Sequence, residues 1–248
     1  MKSVLFKHRS IRKFRETPIE PEVLQEVLEA ASRASTCGNM QLYSLIVTRD
    51  KALREQLAPC HFNQPMVTQA PCVVTVCADV HRFSMWCELR EANPVYDNFA
   101  WFLNAATDAL LAAQNMVIEA EVHGLGVCYL GTTIYTAAEI ARLLQLPKGV
   151  IPLTTVVMGY PDETPERSDR LPLDGVVHYE KYIDYTAAEI DELWAEREGS
   201  ALTKQLLEEN KLPNLAQVFT QRRYCAKDNL AISKSYFALL KEKGFFNN

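Results

Sequence analysis

The sequence contains no apolar run of the length and purity that a membrane-spanning helix needs. Its longest weakly charged stretch, Phe99 to Ile118, carries only Asp108 as a charge, but Asn104, Thr107, Gln114 and Asn115 interrupt it. That stretch reads as a helix buried on more than one side. Positive charge is not in excess either: 26 Lys and Arg against 31 Asp and Glu give a formal charge of −5, which argues against a dedicated nucleic-acid binder. The seven cysteines are odd in number and irregularly spaced, so no disulfide framework is expected, and free thiols in a reducing cytoplasm are. No apolar signal-peptide core lies within Met1 to Glu16; the segment is basic and free of acid until Glu16, as a transit peptide can be, but the expected location is cytoplasmic.

Several sites of chemistry are missing as well. Gly124 and Gly126 open a dinucleotide fingerprint whose third glycine is replaced by Tyr129. Gly126 to Thr133 mimics a phosphate loop without the lysine that reaches the phosphates. Cys72 and Cys77 are five apart on a predicted strand and so point to opposite faces, which with His81 makes no metal site. The H-E-x-x-H and G-x-S-x-G patterns are absent, and no metal is expected.

What is present is a globular composition, 48% hydrophobic and 23% charged. An amphipathic helix is predicted over Pro21 to Ala34 and a strand over Tyr43 to Thr48. Pro71 to Val80 reads as a strand buried on both faces, Asp97 to Glu121 as a long central helix, and Val127 to Leu130 and Leu153 to Met158 as two further strands. The hexapeptide Tyr-Thr-Ala-Ala-Glu-Ile occurs at Tyr135–Ile140 and Tyr185–Ile190, and both copies predict a capping box that starts a helix. From about Val176 the composition changes to charged helices without strands, ending in a helix over Asp228 to Lys243. The surplus apolar surface of Phe99 to Ala120 points to a dimer interface.

The segment Lys7 to Arg15, KHRSIRKFR, holds six basic residues in nine. It can be a solvated basic patch or an address signal. It can also surround a phosphate, since His8, Arg9, Ser10 and Arg12 bring two guanidinium forks, a hydroxyl and an imidazole into five residues. Four more elements follow in order: Ala34 to Gln41; Asn63-Gln64 with Gln69-Ala-Pro71; Gly124-Leu-Gly126 with Tyr129-Leu-Gly131; and Gly159-Tyr-Pro161 with Arg170-Leu-Pro172. In this order they resemble the FMN-dependent nitroreductase superfamily, in particular its NADPH-dependent nitroreductase and flavin reductase branch. The resemblance covers about residues 3–175.

It implies an α+β, three-layer α-β-α fold whose central sheet is mostly antiparallel and flanked by helices, with a helical C-terminal extension. Residues 1–175 would form the FMN-binding core, and 176–248 the extension, packed on a partner subunit. His8, Arg9 and Ser10 would hold the FMN phosphate and ribityl chain, with Arg170 closing over the phosphate. Arg12 would approach the pyrimidine edge and Gln64 its amide. Thr36, Cys37, Gly38 and Asn39 would line the flavin from the partner of a homodimer. Tyr129, Gly131 and Thr132 complete the cofactor set, the amides near Gly131 and Thr132 lying by N5. NADPH or NADH would reduce FMN in a ping-pong cycle, and a small electron acceptor (a nitroaromatic, a quinone or a free flavin) would reoxidise it, with no catalytic side chain required. Arg222, Arg223 and Lys227 are candidates for the extra phosphate of NADPH. The chain departs from the family at Cys37, often serine there; at Thr132, half of a paired glycine; at Met66, usually aromatic; and at Ser168, usually basic, with Arg167 beside it. Two alternatives stay open: a reductase of another substrate class, such as a dehalogenase or an enoate-type reductase, and a non-enzymatic polyanion-binding module.

Overall fold

The four apolar runs become one antiparallel sheet in a computed structural model that describes residues 3–246. Its strands are β1 (Tyr43–Thr48), β2 (Cys72–Asp79), β3 (Gly126–Leu130) and β4 (Val150–Gly159), in the order β1-β2-β4-β3. The side-chain alternation of the two central strands fills both faces. Val74 and Val76 of β2 and Val156 and Met158 of β4 pack in one cluster with Val27 and Met116, from α1 (Pro21–Ser32) and the long central helix. Val73 and Val157 pack in another with Leu57, Val67 and Ile140. Those three come from α2 (Lys51–Leu57), α3 (Met66–Gln69) and α6 (Ala137–Leu143), while α4 (His81–Glu88) precedes the central helix, α5 (Phe99–Val122). The three-layer α+β architecture is therefore that of the expected class. Cys72 and Cys77 fall in different clusters, and all seven cysteines are unpaired.

Several boundaries differ from the sequence reading by one to three residues. α1 ends at Ser32, before Ala34. α5 starts at Phe99, because the Asn98 side chain accepts the Trp101 amide and caps the helix there. β4 begins at Val150 rather than Leu153, running through Pro152; the register slips opposite Val76 and Cys77, and this irregularity spares a ladder position the amide that proline lacks. One predicted cap is also absent. Thr186 and Glu189 form the full capping box, but Thr136 gives its hydroxyl to the Cys60 carbonyl at 2.7 Å, and Glu139 pairs with Arg142. A tertiary acceptor has outcompeted the local one.

The chain divides into two compact units, Met1–Glu166 with Ile232–Asn248, and Arg167–Ala231. The sheet and its helices belong to the first. The second contains α7 (Ala187–Gly199), α8 (Ala201–Asn210) and α9 (Leu215–Val218), the last followed by a π turn over Phe219–Arg223. α10 (Ala226–Glu242) counts with the first unit from Ile232 onward.

The basic segment docks on β3 only because position 126 has no side chain. A methyl group on Gly126 would lie 2.7 Å from Cβ of Ile11, which is itself buried. Gly126→Ala is expected to destabilise the protein by about 1–3 kcal/mol, the usual cost of overpacking, read as a lowered urea midpoint at unchanged slope. An unchanged midpoint would count against this contact.

Candidate functional site

β3 is an edge strand, and the basic segment covers that edge. The Ile11 amide donates to the Val127 carbonyl at 2.8 Å, Ser10 pairs with Val127, and Phe14 bridges to Pro161. Ile11 and Phe14 turn into the core, which leaves Arg12, Lys13 and Arg15 exposed. The amides of Arg12 and Lys13 both donate to one oxygen of Glu163, at 2.6 and 3.1 Å. The Arg12 guanidinium makes no hydrogen bond or ion pair among the described residues, and lines an open cavity of about 1420 Å³ together with Met66. Met66, the departure from an aromatic, is itself nearly buried in the core.

Arg9 borders a different cavity, of about 410 Å³, with Lys7 and Glu121. Its Nε is buried and has no hydrogen-bond partner among the described residues. His8 Nδ1 lies 2.6 Å from Glu121 Oε1. Glu121 thus holds His8 and lines one cavity with Arg9, and Arg12 stands at the larger cavity.

The C-terminal end of β3 carries a second group. Burial pushes the Tyr129 phenol up to about 12, and its hydroxyl is 3.5 Å from Gln114 Oε1. The strand then enters a 3-10 turn over Gly131–Tyr135. Gly131 is exposed, and a Cβ there would meet nothing within 4 Å, so the turn opens onto free space. Thr132 Oγ1 sits 2.8 Å from Nδ1 of His61, and the Gln64 amide donates to the His61 carbonyl at 3.1 Å. Gln64 and Thr132 therefore meet through a residue that the sequence reading did not single out. His61 is wholly buried, and burial lowers its imidazole to about 4. The two residues after it, Phe62 and Asn63, are left-handed at φ 55° and 53°.

The small-polar loop lies elsewhere. Cys37–Asn39 form a 3-10 turn with Gly38, Asn39 and Gln41 at φ 54°, 55° and 50°. Asp108 of α5, nearly buried, accepts the Cys37 amide at 2.8 Å and the Leu42 amide at 3.2 Å. Its only sign in the sequence was its position as the one charge in the apolar stretch Phe99 to Ile118. The loop feeds β1, at the opposite edge of the sheet from β3. Within one chain, Thr36 to Asn39 and the group around β3 are on two sides of the sheet.

The remaining candidates belong to the second unit. Arg170 Nη1 donates to the Asp169 carbonyl at 2.8 Å, and the Asp169 carboxylate takes a bidentate pair from Arg197 at 2.7 and 3.2 Å. Arg223 lies over the Phe219 ring at 5.6 Å from its centroid, and Arg222 is exposed, as is Lys227.

Comparison with known proteins adds to this geometry. The nitroreductase family profile matches residues 5–160. An FMN reductase (NADPH) of Bacillus subtilis is 33% identical over 180 residues, covering 72% of each chain. An oxygen-insensitive NADPH nitroreductase of Salmonella typhimurium is 33% identical over 175 residues, or 71% of each. A crystal structure from Bacteroides fragilis superposes with a TM-score of 0.96 at 48% identity, over 98% of this chain and 99% of that one.

His61 makes stability depend on acid. Its folded value, about 4, is below the ordinary 6.5, so the unfolded chain binds the extra proton first. The contribution is complete above pH ~6.5 and is lost as pH falls toward 4, amounting to roughly 3 kcal/mol. Urea unfolding between pH 7.5 and 4.5 should show this slope, and His61→Asn should flatten it. An equal slope in the variant would place the effect elsewhere.

Proposed function

The chain belongs to the nitroreductase family, and on that premise we propose that it is an FMN-dependent NAD(P)H oxidoreductase acting on nitroaromatics, quinones or free flavins. The observation that carries the reading is the docked basic segment. It leaves the Arg9 Nε buried without a partner and the Arg12 guanidinium unpaired among the described residues, and the strand on which the segment docks runs into a turn that opens at Gly131. A buried donor without an acceptor is costly, and an anionic ligand supplies one. The relatives whose names carry FMN and NADPH support the same assignment.

Bound FMN supplies the hydride chemistry; the chain holds and polarises it. His8, Arg9 and Ser10 would hold the phosphate and ribityl chain. Arg12 offers an uncompensated positive charge to the pyrimidine edge, favouring an electron-rich ring. Gln64 would bond the amide of that edge, its backbone fixed by His61. Tyr129, Gly131 and Thr132 would border the ring. No side chain has to act as nucleophile or general base, and reduced nicotinamide and acceptor would use one pocket in turn.

The working unit is a homodimer. The loop Thr36–Asn39 is at the wrong edge to serve the β3 site of its own chain, so it would line the partner's flavin. α5 exposes Leu103, Leu110 and Leu111 at 45–50% of their surface, the apolar stripe an interface needs. The extension, residues 176–248, would pack on the partner, with Arg222, Arg223 and Lys227 toward the nicotinamide cofactor's extra phosphate. Seven unpaired thiols suit a reducing cytoplasm.

The purified protein should show flavin absorption, or take it up when FMN is added, and should sediment as a dimer. A colourless chain, or a monomer that keeps its flavin, would refute the respective part. Arg9→Ala should weaken FMN affinity ~10–150-fold, the loss of one charge-assisted contact. Arg12→Ala should spare oxidised-flavin binding more and lower the midpoint potential by tens of millivolts. An unchanged potential would remove Arg12 from the pyrimidine edge.

A further inference from the structure

His61 is a buried, polar side chain that the proposed chemistry does not use. Its ring has no exposure, yet among the described residues it makes a single hydrogen bond, between Nδ1 and Thr132 Oγ1 at 2.8 Å, and its buried Nε2 has no partner. The turn bearing it is stitched to the turn after β3 on either side. Thr136 donates to the Cys60 carbonyl, and the rings of Phe62 and Tyr135 lie 6.0 Å apart. The next residue along, Thr133, is also satisfied, donating to Leu130 O at 2.9 Å and lying 3.0 Å from Thr155 Oγ1. Among the described residues, the Thr132 hydroxyl has His61 alone.

Two neutral tautomers are possible. If Nε2 carried the proton, an N–H would be buried with nothing to accept it. If Nδ1 carries it, the imidazole donates to Thr132, and Nε2 is left as a bare acceptor. Orphaned buried N–H groups are rarer than under-satisfied acceptors, so the second arrangement is favoured. The cation, with both nitrogens protonated, is suppressed by burial until about pH 4. With its oxygen already receiving a hydrogen bond, Thr132 has its own proton free. Thr132 is half-buried, next to the exposed Gly131, so the proton can be offered to whatever occupies the open side of the turn.

We propose that His61 is a positioning residue that fixes Thr132 as a hydrogen-bond donor to the flavin ring. This rests on the reading of the Gly131–Thr132 turn as bordering FMN. A donor there stabilises the ring more as electrons arrive on it, so it tunes the potential rather than merely adding affinity. It also gives His61 a reason to be buried neutral: a charged or freely rotating partner would leave the direction of the threonine proton unset.

The test has two arms. In apoprotein labelled with ¹⁵N-histidine, the ring nitrogen shifts of His61 at pH 7 should report a protonated Nδ1 and a bare Nε2. The reverse tautomer overturns the proposal, whatever the protein binds. In FMN-loaded protein, Thr132→Val and His61→Leu should each shift the two-electron equilibrium against reduction by about three- to tenfold, the tenfold end being ~30 mV. The double variant should fall no further than either single one, since the two residues make one interaction. Thr132→Ser keeps the hydroxyl, and His61→Asn places an amide near Nδ1; both should restore most of the potential. If His61→Leu does not fold, Thr132→Val and His61→Asn still decide. Potentials unchanged with flavin bound refute the positioning role and leave the FMN site standing. A wild-type protein that takes up no FMN overturns the reading beneath both.

Discussion

Burial of the central sheet on both faces is the constraint from which the rest of the molecule follows. Every residue of β2 is buried, and nine of the ten of β4. A strand enclosed in this way presents no open surface to a ligand. Chemistry is thereby displaced to the edges and to the loops leaving them. β3, at one edge, accepts the basic segment along its open side and ends in the turn over Gly131–Tyr135; β1, at the other, is preceded by the loop from Thr36 to Asn39. A doubly covered sheet would thus divide the proposed cofactor set between two edges, and the proposed homodimer would reunite the halves.

The loops at those edges are irregular, and each is held by one buried polar side chain. Asp108 collects two amides on the β1 side, and His61 collects Thr132 on the β3 side. Left-handed residues cluster beside both anchors, at Asn39 and Gln41 and at Phe62 and Asn63. Non-glycine residues in that region carry a conformational cost that surrounding structure must offset. The two anchors do so by satisfying or directing groups that would otherwise face water. Rigid placement of the loops therefore depends on two side chains that need not touch any ligand.

Much of this was legible from the chain, and the pattern of what was not is informative. Runs such as residues 71–80 revealed themselves because burial on both faces leaves an uninterrupted apolar sequence. The capping box at Thr186 was readable because it is local; its twin at Thr136 was not, since the Cys60 carbonyl that takes its hydroxyl is 76 residues away in sequence. Pro152 concealed the start of β4, because the irregularity that accommodates it belongs to the pairing with β2 and leaves no mark of its own. Asp108 and His61 escaped for the same reason. Their partners are 71 or 66 residues away for the aspartate and 71 for the histidine, so neither residue stands in a motif. The basic segment was seen as a unit, but the structure assigns Arg9 and Arg12 to different cavities, a separation that spacing alone does not convey.

Net charge conceals a similar division. The whole chain is acidic, at −5, and on that ground polyanions are poor partners for its surface at large. The larger cavity reverses the sign. Arg12, Lys13, Arg15, Arg49, Lys51 and Arg54 line it against three carboxylates. Arg54 is committed to the carbonyls of Thr68 and Ala70, but no ion pair among the described residues neutralises the other five. A concave, uncompensated basic surface concentrates anions whatever the sign of the remainder, because potential at a cleft is set by the nearest charges and screened within about 10 Å at ordinary salt. An acidic protein can in this way repel nucleic acid over most of its area and still draw a phosphorylated small molecule toward Arg12. The balance of −5 then bears on solubility and non-specific contact, and the sequence order of a dozen residues bears on what is bound.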